Sequence, residues 1–270
     1  MKYAICNETF GDWDHARVCA RVAELGYTGL ELAPFTLAPR ITDVSAPRRA
    51  ELRRQAETEG VELIGLHWLL AKTAGFHLTS PDPDTRKRTG EYLADLARAA
   101  ADLGGHLLVL GSPLQRNLAE GVTRARGEDY ALDTLRHCLP ALERDRVYLC
   151  LEPLTPAETN FMTSAADAVA LAERLAHPFV KLHLDVKAMS AEGAPTPDVI
   201  RANREHLYHF HANDPNTRGP GFGSTDFKPI FQALKDVNYG GWVSVEVFDY
   251  SPDPDTIARE SIRYMRACAG

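Results

Sequence analysis

Eight short apolar runs, separated by segments of helical periodicity, restrict the folds open to this sequence. The runs cover residues 3–6, 28–33, 61–67, 106–111, 147–152, 179–185, 206–211 and 242–247. Strand-like runs that alternate with helical segments imply βα units and a parallel sheet. Ala16, Cys19, Ala20 and Ala23 make one helical stripe, ended at Gly26. Leu93, Leu96, Ala97 and Ala100 make another before Gly104-Gly105. A longer stripe is expected through Ala131, Leu135, Cys138, Leu139 and Leu142. Ser164 precedes Asp167 by three residues, the spacing of a capping box. Phe227, Ile230, Phe231 and Leu234, and then Ile257, Ser261, Tyr264, Met265 and Cys268, form the last two stripes; the stretch 197–204 is the weakest.

Eight such units in 270 residues predict a closed (β/α)8 barrel. Closure gives the first strand the last as a neighbour and leaves no open edge. With no linker or low-complexity tract, a single domain over residues 1–270 is expected.

The formal net charge is −7 and the pI about 5.8, with no long basic run. That balance disfavours nucleic acid as a partner and suits a small neutral or weakly charged molecule. The five cysteines form no CxxC pair, so a disulfide framework or zinc–thiolate site is not expected. No apolar run approaches the ~20 residues of a membrane span, and no signal-peptide pattern opens the chain. A cytoplasmic location with no membrane contact is the expectation.

In a (β/α)8 barrel, chemistry gathers at the C-terminal ends of the strands. The polar residues there are Glu31, His67, Glu152, Asp185, His211 and Glu246. A carboxylate placed beside an apolar core must be paired or bound to a cation. Glu152, Asp185, His211 and Glu246 fall on four successive strands and are expected to converge. Three carboxylates and one imidazole suit one divalent ion: Mn²⁺ first, with Mg²⁺, Co²⁺ or Zn²⁺ as alternatives. His183 and His209 lie two residues before proposed ligands and so face the same way one layer deeper. They read as packed, hydrogen-bonded histidines, with His209 able to exchange roles with His211. Trp13, Phe35, Trp68 and Phe248 are candidate apolar walls. The stretch Gly219–Gly223 reads either as a loop over the site or as a simple turn.

These residues resemble the xylose-isomerase-like barrels and, within them, sugar isomerases and ketose 3-epimerases. The likeness runs along the whole chain, through GLELAPF, GLHWLL, LEPL, AETNF, LHLDVKAM, HFHAND and VSVEVFDY. It implies a metal-dependent isomerase or epimerase acting on a sugar or sugar phosphate. Glu152, Asp185, His211 and Glu246 would be the metal ligands, with Glu152 and Glu246 as the acid/base pair. Glu158 would contact substrate, with His67, Lys187, Arg218 and Trp13 as further candidates. The resemblance also implies a homodimer or homotetramer. The chain departs from the ketose 3-epimerases in two places. Ala188, preceded by Lys187, stands where they carry a substrate-contacting histidine, and the loop 213–223 that holds Arg218 differs. Lys187 reads as a contact to an anionic substrate group, a proton donor with a lowered pKa, or a structural ion pair.

Three other functions stay open. A lyase of the same fold, dehydrating an inositol-like ketone or cleaving a keto-glycoside, would use the same carboxylates, and product mass separates it. A nuclease of the endonuclease IV kind needs more histidines and several zinc ions. A non-catalytic barrel has no reason to keep four ligand candidates.

Overall fold

A computed structural model describes all 270 residues. Its strands are β1 Lys2–Cys6, β2 Gly29–Leu32, β3 Glu62–Leu66, β4 Leu107–Leu110, β5 Tyr148–Leu151, β6 Val180–Asp185, β7 Leu207–Ala212 and β8 Trp242–Val245. They close in sequence order into a parallel barrel, β1 pairing with β2 through Ala4 and Gly29 and with β8 through Ala4 and Ser244. All eight expected strands are present, and the fold is the (β/α)8 barrel.

Ten helices surround it: α1 His15–Leu25, α2 Ala46–Thr58, α3 Pro83–Asp102, α4 Arg124–Arg136, α5 Leu139–Asp145, α6 Ala165–Leu175, α7 Val186–Met189, α8 Thr196–Ala202, α9 Phe227–Asp236 and α10 Pro254–Ala269. Side chains accept the free N–H groups that open several of them: Asp14 for α1, Ser45 for α2, Asp82 for α3, Thr123 for α4 and Asp253 for α10. Ser164 caps α6 by accepting from the Asp167 N–H, while the Asp167 carboxylate accepts from Thr163. The stripe expected to run unbroken from Ala131 to Leu142 is two helices. Helix α4 ends at Arg136 and α5 starts at Leu139 with Pro140 in its first turn; proline has no N–H with which to continue a helix.

The main core lies between strands and helices and includes Leu30, Leu93, Leu96, Phe210 and Phe231. Inside the barrel only a floor is apolar, made by Ala4, Ile64, Leu107, Val109, Cys150 and Trp242. Strand periodicity of two then sets the layers above it. Trp242, Ser244 and Glu246 rise along β8, and Cys150 and Glu152 along β5, so acidic groups end up at the mouth. No helix is long and apolar enough to cross a membrane.

Gly65 is where two strands come too close for any side chain. A Cβ there would lie 2.1 Å from the carbonyl oxygen of Leu107, a backbone atom that cannot swing away. Gly65→Ala is expected to lower stability by about 2 kcal/mol or more, as overpacking does. An unchanged denaturation midpoint would contradict this close approach.

Candidate active site

The polar residues of strands five to eight meet at the barrel mouth, all nearly inaccessible: Glu152 is 5% exposed, Asp185 3%, Glu246 2% and His211 0%. Ligand atoms of Glu152, Asp185, His211 and His183 lie within 4.8 Å of one another. Glu246 is tied to this group through His211, whose Nδ1 lies 3.2 Å from Glu246 Oε2. Three of the four expected ligands thus form one cluster. His183 completes it, and Glu246 adjoins it through His211.

Each of these side chains is held by neighbours. His211 Nε2–H donates to Glu31 Oε2 at 3.1 Å, leaving Nδ1 turned to the mouth. His209 Nε2 lies on the same Glu31 oxygen at 2.9 Å, and His209 stands close to His183 and His211. Asp185 Oδ1 accepts from the Ala188 N–H, and Asp185 Oδ2 accepts from Asn213 Nδ2. Trp68 Nε1–H donates to Glu246 Oε1 at 2.6 Å. The pairing register slips between Leu30 and Glu31 against β3, and between Leu182 and His183 against β7. Such irregularities re-aim side chains beside active sites, and both fall on site residues here.

Crowding sets the charge states. Burial, then the charges of Glu246 and Asp185, holds the Glu152 carboxyl well above the usual range. Burial and then the Glu246 charge push Asp185 up to about 6. Burial would raise Glu246 as well, but the charge and hydrogen bond of His211 outweigh it and leave this carboxyl lowered. His211 is raised well above its ordinary value: burial opposes the charged ring, and Glu31 and Glu246 overcome it. His183 is held well below by burial and by the charges of His211 and His209.

Neither ring nitrogen of His183 has a hydrogen-bond partner, although the residue is fully buried. The expected packed, hydrogen-bonded histidine is therefore packed but unbonded. A neutral imidazole without partners, beside Glu152 and Asp185, fits a divalent cation better than it fits an apolar core. Glu152, Asp185 and His211, with His183 or Glu246, are the residues that could hold one.

Gly111 leaves room for Glu152, since a Cβ there would sit 1.5 Å from Glu152 Oε2. Arg116, only 1% exposed, sits behind it. Its guanidinium donates to the Glu152 backbone oxygen at 2.6 Å and to that of Leu110, and burial pulls its pKa down to about 10. Arg116→Met is expected to cost about 2–5 kcal/mol, because two buried carbonyls lose a charged donor. A loss below about 0.5 kcal/mol in chemical denaturation would remove Arg116 from this role.

The expected substrate contacts divide. Glu158 and Lys187 form a pair, Nζ to Oε1 2.6 Å, with Lys187 Nζ 4.7 Å above the Phe248 ring. Burial disfavours the ammonium, but the hydrogen bond to Glu158 and the charge of Asp185 raise its pKa. The lowered-pKa reading of Lys187 is overturned, and it is an ion-paired cation. His67 is fully buried beneath the mouth, with Nε2 2.9 Å from Glu8 Oε2. Arg218 donates to the Ser251 oxygen, pairs with Asp249 at 3.6 Å and lies on Phe222. Trp13 packs on Phe10 with the Arg17 guanidinium 3.5 Å from its ring. It lines a hollow beside α1 and α2 with His15, Arg48 and Leu52, so its expected place at the substrate is not where the structure puts it. Phe35, Trp68 and Phe248 do line the mouth cavity. Gly219 and Gly221 pack against Ser261 and Tyr264 of α10, so that stretch is a turn rather than a cover. All five cysteines are free.

Glu8, His183, Asn213 and Arg116 were not anticipated as site residues. Glu8 follows β1 as Glu152 follows β5, so the strand-end rule could have found it. Arg116 stands alone in a loop and carries no such signal.

A family described as Xylose isomerase-like TIM barrel matches residues 19–268. The D-psicose 3-epimerase of Ruminiclostridium cellulolyticum is 29% identical over 237 residues, covering 87% of this chain and 78% of that protein. The crystal structure of D-psicose 3-epimerase with D-tagatose from Clostridium cellulolyticum H10 superposes with a TM-score of 0.87 at 24% identity, covering 100% of this chain and 99% of that one. That of an Escherichia coli 3-keto-D-glucoside 4-epimerase gives 0.86 at 20% identity, covering 99% and 100%. At these identities the superpositions establish the fold alone. By the span of the family match, this chain belongs to the xylose isomerase-like TIM barrel family.

Proposed function

We propose that this protein is a divalent-metal-dependent sugar epimerase that inverts a carbon next to a ketone. The observation that carries the reading is the pair Glu152 and Glu246, two buried carboxylates that both lie close to His211 and whose surroundings push them toward opposite protonation states. Such pairs divide acid and base roles. The relatives named above support the same chemistry, since each is named for inverting one carbon of a keto sugar.

A bound divalent ion, Mn²⁺ first among the candidates, would supply Lewis-acid polarisation of the substrate carbonyl. The Glu246 carboxylate takes the proton from the carbon beside the carbonyl, and the electron pair moves into an enediolate. The Glu152 carboxyl returns a proton to the opposite face of the same carbon, which inverts it. The reverse reaction exchanges the two roles. Glu158 and Lys187 present a carboxylate and an ammonium to the substrate hydroxyls.

The test is incubation of D-psicose or D-fructose with the Mn²⁺-loaded protein in D₂O. The expected product is the epimer at the third carbon, carrying one deuterium there and otherwise unchanged. Loss of water or cleavage of the chain would instead identify a lyase.

A further inference from the structure

Beside the carboxylate cluster, and not lined by it, the barrel mouth opens into a second space. A cavity of about 780 Å³ lies there, lined by Glu8, Phe35, Trp68, Lys72, Phe248 and Tyr250. Clefts of about 300–1,000 Å³ are those that enclose drug-sized ligands, and a free hexose is well below that size. Three rings form a continuous wall, Phe35 lying 5.9 Å and Phe248 5.8 Å from Trp68 between centroids. None of the three is fully buried, and Tyr250 beyond them is 44% exposed. An apolar patch inside a cavity with a polar rim marks a ligand surface.

Trp68 joins this wall to the reacting centre. Its φ is 53°, the left-handed region that a bulky side chain occupies only when its surroundings hold it there. The holding contacts are the hydrogen bond to Glu246 and the two phenylalanine rings. A group lying on Phe35 and Trp68 is therefore next to the carbon that Glu246 addresses. The rim carries both signs of charge: Glu8 lies against His67, Lys72 Nζ sits 4.0 Å over Phe35, and Asp12 lines the same cavity, so no appendage of a single charge is favoured. A neutral ring with an apolar C–H face and outward hydroxyls suits that surface better than a charged appendage.

We infer that the substrate is a ketose carrying a second sugar ring, with the reacting carbon between Glu152 and Glu246 and the second ring on Phe35 and Trp68. This rests on the epimerase reading and adds the class of sugar.

The test compares D-fructose with isomaltulose, leucrose and maltulose, glucosyl-fructoses that keep the ketone and its neighbouring hydroxyl free. At least one disaccharide is expected to exceed D-fructose about tenfold in kcat/KM, because binding energy from a remote part of a substrate is expressed at the reacting carbon. Phe35→Ala is expected to reduce turnover of that disaccharide at least about five times more than turnover of D-fructose. Binding of the same four sugars to Glu246→Gln loaded with Mn²⁺ is measured alongside by calorimetry. If D-fructose is turned over as well as every disaccharide, the second-ring inference falls and the epimerase reading stands. If nothing is epimerised, yet a disaccharide binds about tenfold tighter than D-fructose and Phe35→Ala removes the difference, the cleft assignment holds and the reaction is a different one. Equal binding of all four sugars with no turnover overturns both.

Discussion

Glu246→Gln is expected to lower epimerisation by about 10²–10⁴-fold, the range lost with a positioned general base, while the barrel stays folded. The amide has the shape of the carboxylate and its oxygen can still accept from Trp68. It cannot take a proton from carbon at neutral pH. Glu152, Asp185, His211 and His183 remain to retain a cation, so metal content should fall less than turnover. Solvent deuterium exchange and elemental analysis of the same preparation read the two separately. Turnover within about twofold of the parent protein would remove Glu246 from the proton transfer. Loss of all metal together with activity would make it a ligand first and a base second.

Exhaustive chelation is expected to abolish turnover, and Mn²⁺ to restore it. The physical cause is crowding: Glu152, Asp185 and Glu246 raise or resist one another's charge in a buried space. Because Asp185 is raised to about 6, protons compete with a cation below that pH, and apparent metal affinity should climb through it and go on climbing while Glu152 and His211, both raised, give up their protons. In the metal-free protein the sign for stability follows. Between the ordinary carboxyl value of about 4 and about 6, the folded state holds more of the Asp185 proton than the unfolded state does, so this contribution to stability falls as pH rises. Glu31 and Glu246, both lowered, act in the opposite direction but at lower pH. Comparing metal-free protein with Asp185→Asn isolates the term, expected to be on the order of 2–3 kcal/mol across the window. Thermal melts that show this difference growing in the other direction with pH would contradict the buried, crowded carboxylate.

The barrel was legible because its signal is repeated eight times. Each run carries its own apolar face, four of them end in His67, Glu152, Asp185 or His211, and closure follows from giving β1 a partner. Asp185, His211, Glu152 and Glu246 were legible for the same reason: their position along a strand fixes both height and facing. His183 shares that facing with Asp185, and the register slip at Leu182 bears on how it enters the cluster; sequence spacing does not encode such a slip. Trp13 was misplaced because strand periodicity says nothing about a residue between the turn at Asn7–Phe10 and α1, where helix packing decides its direction. Arg116 was invisible because its role depends on two carbonyls that only the folded chain brings to it. The break at Pro140 was visible in the sequence and was outweighed by an apolar stripe that happened to continue across it.

The bond from Trp68 to Glu246 gives this protein a built-in optical reporter. Trp13 packs by α1 and Trp242 is on the barrel floor, so only one indole has its N–H against the central carboxylates. Whatever draws Glu246 toward itself, ion or sugar, changes the polarity felt by that ring. Emission from Trp68 can therefore be titrated directly, without a labelled ligand and before any substrate is known.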